Sequence, residues 1–231
     1  NTMTPPPVFY AKDVKASLVF CSLTKYIAGH GNVLGGAVID TGNYDWTKFS
    51  NLKPAYQVAD TAQWGITQIK KKGLRDLGAT LAPQSATAIA LGMETLDLRL
   101  SRSQYNAMQL ATFLDNHPKV SKVFYPGLAD HPQHFMAREY LNDGYGAILS
   151  FDLIDGADPV AFLNEMKLVI CATHLGDNRT LALPVAPTIY FENTAEEREL
   201  MGISDTMLRI SVGIEDTQDL IADFDTALNT I

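Results

Sequence analysis

A lysine flanked by hydroxyl side chains is the part of this sequence that could support covalent chemistry. Lys25 follows Ser22 and Thr24, which lie two positions apart after the apolar segment Ser17–Cys21. In an extended segment, side chains two positions apart point the same way, so the two hydroxyls could donate to one phosphate group. Burial would lower the pKa of Lys25 and leave its amine free to form an imine with an aldehyde. Taken alone, such a string is more often a polar turn than a binding site.

Composition limits the classes of protein to be considered. Of the 231 residues, 46% are apolar and 19% are charged, which is typical of a folded chain. The net charge of -8 argues against a broad nucleic-acid surface. The apolar stretches have the length of strands, which predicts no membrane span, and no segment has the pattern of a secretory signal. The histidines and cysteines lack the spacing of metal ligands, so we expect no metal site.

The cysteines and the first residue carry two further expectations. Cys21 and Cys171 both lie in apolar runs, which predicts two buried thiols in a reducing compartment and a cytoplasmic protein. The chain opens at Asn1 without an initiator methionine, and its first ten residues have the composition of a loop. We therefore expect this chain to be the later part of a longer protein.

The elements that must position Lys25 divide into two groups. Strands at Ser17–Cys21 and Val33–Asp40 predict the buried sheet edge of an α/β domain. Helical spacing over Ser85–Asn116 predicts one long helix that joins a larger domain (1–100) to a smaller α+β domain (101–231). The smaller domain is predicted to contain strands at Val120–Tyr125, Ala147–Leu153, Leu168–Ala172 and Met207–Val212. Its predicted helices are His131–Leu141, Asp158–Met166 and a last helix capped by Asp216 or Thr217, with Leu220, Ile221, Phe224 and Leu228 on one face.

Four separated motifs resemble one known family. They are Ser22-Leu23-Thr24-Lys25-Tyr26 with Gly29-His30-Gly31, Asn1-Thr2 before a proline, Leu175-Gly176-Asp177 with Thr180-Leu181, and the run from Glu196 to Asp216. In this order they resemble the Cys/Met-metabolism enzymes that use pyridoxal 5'-phosphate (PLP). The family includes cystathionine γ-synthase, cystathionine lyases, methionine γ-lyase and homoserine-ester sulfhydrylases. The resemblance implies an aminotransferase-like fold of type I, with part of the large cofactor domain followed by the smaller α+β domain.

The resemblance also implies roles for individual residues. Lys25 would hold PLP as a Schiff base, and Ser22 and Thr24 would bind its phosphate. Arg209 would bind the substrate α-carboxylate, a task that suits a guanidinium. Thr180 stands where many relatives have a serine near that carboxylate, although an ordinary loop hydroxyl is an equally good interpretation. The family's partner for the pyridine nitrogen and its ring-stacking tyrosine would precede Asn1.

The implied function is a PLP-dependent reaction of sulfur amino-acid metabolism. We expect γ-elimination from a cystathionine- or methionine-like amino acid, with γ-replacement on an O-acylhomoserine as the alternative. Arg179, Leu183-Pro184 and Thr188-Ile189 depart from the family's common pattern, which leaves the substrate open. A non-catalytic fragment is a further alternative, whereas a nucleotide-phosphate binder is disfavoured because no Walker motif is present. The resemblance also implies a homo-oligomer, either a dimer or a tetramer.

Overall fold

The structure, a computed structural model, describes residues 1–142 and 144–231. Within these residues the strands form one sheet of two strands and one of five. The strands are β1 (Leu18–Ser22), β2 (Gly36–Asp40), β3 (Val120–Phe124), β4 (Ile148–Leu153), β5 (Ile170–Cys171), β6 (Leu181–Pro184) and β7 (Met207–Ser211). The α-helices are α1 (Trp64–Gln68), α2 (Arg75–Leu77), α3 (Pro83–Met93), α4 (Leu96–Asp115), α5 (His134–Tyr140), α6 (Pro159–Glu165), α7 (Ala195–Leu200) and α8 (Thr217–Leu228). This mixture agrees with the predicted α/β class.

The small sheet is an antiparallel hairpin rather than a buried sheet edge. Leu18 of β1 lies opposite Asp40 of β2, and Ser22 lies opposite Gly36. The prediction that this sheet is buried was wrong, because the Phe20 side chain is 65% exposed. Within the part of the chain that the structure describes, no third strand pairs with the hairpin. The hairpin is bonded to the first residues of the chain: the Asn1 amino group donates to the Phe20 carbonyl at 2.7 Å, and the Ser22 amide donates to Thr2 Oγ1 at 2.9 Å.

The predicted long helix is interrupted. It divides into α3 and α4 at Glu94 and Thr95, whose amides bond to the carbonyls of Leu91 and Gly92 in tighter turns. Gly92 packs directly on the backbone of Ala28, so that an added Cβ would overlap the Ala28 carbonyl oxygen. The missing Cβ of Gly92 therefore lets α3 approach the segment that follows β1, a contact that helical spacing alone does not predict.

The larger sheet has the order β3-β4-β7-β6-β5 and contains most of the core. β5 and β6 are parallel, whereas the other neighbours are antiparallel. Phe151 of β4, Phe162 of α6 and Phe224 of α8 are fully buried and contact one another through their rings. The prediction for the last helix is confirmed: Asp216 caps α8 by accepting bonds from the next amides. Its apolar face fixes α8 on the sheet.

Several expectations for this unit need correction. Cys171 is exposed, because β5 is a two-residue strand at the edge of the sheet, whereas Cys21 is buried as predicted. The sequence analysis missed β6 and also missed α7, whose capping box links Thr194 and Glu197. No helix within the described residues is long and apolar enough to cross a membrane. A domain boundary near residue 100 stays a prediction, and it falls inside α4.

Candidate active site

Lys25 lies in a tight turn that begins as soon as β1 ends. The Ala28 amide donates to the Leu23 carbonyl at 3.0 Å, and the Gly29 amide donates to the Lys25 carbonyl at 2.8 Å. The expectation of an extended segment through Ser22 and Thr24 was therefore wrong, because the chain turns at Leu23. The turn presents the Lys25 side chain at the end of the hairpin.

The two hydroxyls that precede Lys25 have different surroundings. The Thr24 hydroxyl donates to the Gly35 carbonyl at 3.2 Å and accepts from the Gly35 amide at 3.0 Å, so it ties the turn to the start of β2. The Ser22 side chain is half-buried and makes no hydrogen bond within the described residues, although its amide donates to Thr2 Oγ1 at 2.9 Å. The Ser22 hydroxyl can therefore both donate to and accept from a ligand, whereas the Thr24 hydroxyl already bonds to Gly35.

A buried arginine that the sequence analysis missed supports the turn. Arg99 Nη1 donates to the Tyr26 carbonyl at 2.7 Å, and Nη2 donates to the carbonyls of Ile27 and Gly92 at 3.1 and 2.7 Å. No carboxylate within the described residues pairs with Arg99, whose charge is stabilised by these carbonyls and by the Thr95 hydroxyl, which accepts from Nε at 3.1 Å. An arginine on the apolar face of a predicted helix, beside Leu100, was the available signal.

The Lys25 amine contacts a histidine from the opposite part of the chain. Lys25 Nζ lies 3.0 Å from His174 Nδ1, although the two residues are separated by 149 positions. Burial lowers the pKa of Lys25, and the nearby positive charge of Arg209 lowers it further. Burial also lowers the pKa of His174, and the charge of Lys25 adds to that effect. Both shifts favour uncharged nitrogen at this contact.

Arg209 extends from the middle of the larger sheet towards the same histidine. It lies on β7 between Ser150 of β4 and Leu183 of β6. Its Nη2 donates to the carbonyls of Thr173 and His174 at 2.9 and 3.1 Å. Its Nε is buried without a partner, and no carboxylate within the described residues pairs with the guanidinium. A half-buried guanidinium with unused donors is suited to an anionic ligand.

The structure gives Thr180 a different environment from the one expected. Thr180 is fully buried, and its hydroxyl donates to Glu215 Oε2 at 2.8 Å. The Thr180 hydroxyl oxygen also accepts from the Gly213 amide at 2.9 Å, and the Thr180 amide donates to Glu215 Oε1 at 2.5 Å. The single hydroxyl proton is therefore already used within the protein. Thr180 therefore links Glu215 to the Gly213 amide and has no hydroxyl proton left for a substrate carboxylate.

An ion pair lies at the edge of the site. Arg179 Nε and Nη2 donate to the two carboxylate oxygens of Asp177 at 2.9 and 3.0 Å. Burial pushes the pKa of Asp177 up, but the bonds from Arg179 outweigh it and hold the pKa below its ordinary value. Asp177 packs against Gly31, where a Cβ would lie 2.5 Å from the carboxylate. The pair closes the loop after Lys25 against the loop that carries His174.

Comparison with known sequences identifies the class of protein to which this arrangement belongs. The profile of the family described as Cys/Met metabolism PLP-dependent enzyme matches residues 1–229. The chain belongs to this family. The predicted family and its α/β fold are therefore confirmed.

Individual relatives are similar to this chain over about half of their own length. A homocysteine synthase of Schizosaccharomyces pombe is 38% identical over 94% of this chain and 53% of its own length. An L-methionine gamma-lyase of Fusobacterium nucleatum subsp. polymorphum is 38% identical over 100% of this chain and 53% of its own length. A Campylobacter jejuni structure described as an O-acetylhomoserine (thiol)-lyase superposes with a TM-score of 0.88 at 31% identity, covering 99% of this chain and 57% of that one. The chain spans about half the length of the curated relatives it matches.

The residues present fit the cofactor of this family. The Campylobacter jejuni structure contains N'-pyridoxyl-lysine-5'-monophosphate, in which a lysine is joined to the pyridoxyl group. In this chain Lys25 offers an amine with a lowered pKa, and the Ser22 hydroxyl has no competing bond within the described residues. Three buried polar atoms around the turn also lack partners there, namely Tyr26 Oη, His174 Nε2 and Arg209 Nε. Such atoms are costly to bury alone and are stabilised by a polar ligand.

Proposed function

We propose that this chain carries Lys25 as the cofactor-binding residue of a PLP-dependent enzyme that acts on a sulfur-containing amino acid. One observation carries the proposal: Lys25 and Arg209 both bond to His174, the former at its side chain and the latter at its carbonyl. The unpaired guanidinium offers charge-assisted donors to the α-carboxylate of an amino acid, and the amine lies close by, where it could hold an aldehyde cofactor. The reaction proposed is γ-elimination on a cystathionine- or methionine-like substrate.

Each residue has a defined task in this proposal. PLP, when bound, supplies the aldehyde and the conjugated ring that takes up electrons from the substrate's α carbon. Arg209 binds the α-carboxylate and thereby orients the Cα–H bond. The Lys25 amine, freed when substrate enters, removes the proton from Cα and returns a proton to the product. Ser22 and Thr24 are proposed to bind the cofactor phosphate, with Ser22 the stronger candidate because the Thr24 hydroxyl already bonds to Gly35.

The alternative reaction is γ-replacement on an O-acylhomoserine. Relatives named homocysteine synthase and O-acetyl-L-homoserine sulfhydrylase favour it, while those named L-methionine gamma-lyase favour elimination. Their identities to this chain lie between 37% and 39%, so similarity does not separate the two groups. The products do: elimination gives 2-oxobutanoate, ammonia and a thiol, whereas replacement gives homocysteine or a thioether.

We also propose a homo-oligomer, either a dimer or a tetramer, located in the cytoplasm. Exposed apolar side chains on the hairpin, such as Phe20 and Ile39, support burial against another polypeptide surface. Both cysteines are free, and the exposed Cys171 favours a reducing compartment. Light scattering during gel filtration and fractionation of cells test the two statements separately.

The visible absorbance of the purified protein with PLP tests the proposed function. We expect a yellow species whose absorbance is lost on borohydride treatment, and we expect Lys25→Ala to form none of it. Lys15→Ala, which changes an amine outside the site, is the matched control and should behave as the wild type. Product assays with methionine, cystathionine and O-acetylhomoserine then assign the reaction. Absence of the yellow species from the wild type would favour a non-catalytic fragment.

A further inference from the structure

His174 contacts both charged groups of the site, and the tasks proposed for Lys25 and Arg209 leave its side chain without a role. Its Nδ1 lies 3.0 Å from Lys25 Nζ, and its carbonyl oxygen accepts from Arg209 Nη2 at 3.1 Å. No other side chain within the described residues bonds to the Lys25 amine. The imidazole is therefore the one neighbour there that can set the direction of this amine.

The loop that carries His174 is fixed on both sides. The Gly176 amide donates to Ser211 Oγ at 2.8 Å, which ties the loop to the end of β7. Gly176 has a φ of 72° and packs so closely on Tyr26 that a Cβ would lie 2.6 Å from the Tyr26 amide nitrogen. The Asn178 amide donates to the Gly29 carbonyl at 2.9 Å. These contacts hold the imidazole against the Lys25 turn.

The chemistry of the two nitrogens defines the direction of the bond. Opposite a lysine ammonium, which has only donors, His174 must be neutral, with Nδ1 as acceptor and the proton on Nε2. The charged and titratable groups that face the imidazole are Lys25, Arg209, Arg179 and Asp177. Burial and the three cationic groups lower the pKa of His174, while Asp177 alone opposes them. These shifts favour the neutral imidazole, whose Nδ1 can accept from the lysine when the ring proton is on Nε2.

We propose that His174 is a positioning residue for Lys25, whose amine it holds through a hydrogen bond accepted at Nδ1. One N–H directed at the imidazole fixes rotation about the Cε–Nζ bond. In the uncharged amine, the nitrogen lone pair then points away from His174. The idea rests on the proposed function, because it gives a purpose to the orientation of the Lys25 amine.

Two substitutions separate the acceptor from the bulk of the ring. His174→Leu introduces an apolar side chain of similar reach and removes the acceptor, whereas His174→Asn places an amide oxygen near the position of Nδ1. The rate at which trace acetic anhydride acetylates Lys25 is measured against pH in the full chain without PLP, by mass spectrometry of peptides. The midpoint of that curve gives the pKa of Lys25. Lys48, an exposed lysine, is the internal reference in the same digest.

A neutral acceptor stabilises the ammonium form, so its loss must lower the pKa of Lys25. We expect the midpoint to fall by about one unit in His174→Leu and to stay within about 0.3 units of the wild type in His174→Asn. Equal midpoints in wild type and His174→Leu would overturn the proposal, and so would equal shifts in the leucine and asparagine variants. Should the leucine variant fail to fold, His174→Met carries the same expectation.

This test is independent of the proposed function. It is made without PLP and reports the protonation of one amine. A wild-type chain that binds no PLP but shows the shift in His174→Leu would refute the cofactor role of Lys25 and retain the contact. A chain that binds PLP at Lys25 but shows no shift would refute the role of His174 alone.

Discussion

The Lys25 turn and the five-stranded sheet are stabilised in different ways. The turn packs a small apolar cluster that includes Ile27 and Ile89, and its carbonyls are bonded by the buried guanidinium of Arg99. The sheet is covered by helices and contains a large core centred on Phe151 and Phe224. One region depends on a few polar contacts, while the other depends on the burial of apolar surface.

The site needs both regions. Lys25 comes from the turn, whereas His174 and Arg209 come from the sheet and the loop beside it. Contacts between the two regions, such as the bond from the Asn178 amide to the Gly29 carbonyl, set the distance between amine and guanidinium. We therefore expect that substitutions can abolish the site without unfolding the chain. Substitutions in each region test this expectation.

The largest expected effect on stability lies in the sheet core. Phe224→Ala removes a fully buried ring and should lower the free energy of unfolding by about 3–5 kcal/mol. Phe20→Ala, at a side chain that is 65% exposed, should change it by less than about 0.5 kcal/mol. Urea denaturation of both variants measures the contrast. Similar losses would show that the hairpin is buried as deeply as the sheet core.

Arg99→Met should destabilise the turn by about 2–3 kcal/mol, because the carbonyls of Tyr26, Ile27 and Gly92 lose their donor. Hydrogen exchange should accelerate at the amides of residues 26–29 and remain slow in the sheet. Arg102→Met is the matched control, since Arg102 is more exposed, donates to the Glu215 carbonyl and pairs with Asp216 at 3.8 Å, and does not bond to the turn. Uniform acceleration throughout the chain would contradict a turn with separate support.

Arg209→Met should weaken substrate binding with little effect on folding. The lost charged hydrogen bonds correspond to about 1.5–3 kcal/mol, or about 10- to 100-fold in apparent affinity for the amino acid. Stability should change little, because removing a half-buried guanidinium without a carboxylate partner also removes its desolvation cost. Titration with substrate and thermal unfolding are measured on the same sample. Unchanged affinity would remove Arg209 from the site.

The smallest expected effect concerns acid stability. The pKa of Asp177 in the folded chain is lower than its ordinary 3.8, so its ion pair stabilises the fold above that pH. This contribution is lost as pH falls from 3.8 through the lowered value. Asp177→Asn should therefore reduce the free energy of unfolding at pH 7 and leave it closer to wild type at strongly acidic pH. A constant difference across pH would show that the carboxylate charge is not responsible.

The sequence predicted features that depend on local pattern. Alternating burial along β4 and the apolar face of α8 follow from periodicity, and both are present in the structure. Arg209 was identified through the family resemblance, which implies a guanidinium at the substrate carboxylate. Lys25 was found because its neighbours are hydroxyls and glycines.

Features set by distant contacts could not be predicted in this way. The helix break at Glu94 lies beside the close packing of Gly92 on Ala28, and apolar spacing within the helix does not identify Ala28 as the partner. The Lys25–His174 contact joins residues 149 positions apart. Exposure of Cys171 depends on its place at the end of a strand order that one sequence does not specify.

Mapping the site of reduced PLP tests the central claim most directly. The wild-type chain is incubated with PLP, reduced with borohydride, digested and analysed by peptide mass spectrometry. The account predicts that the pyridoxyl group is attached to Lys25. It should be absent from the three consecutive lysines Lys70–Lys72, whose exposed amines serve as the comparison. Attachment spread over surface lysines, with Lys25 unmodified, would contradict the account.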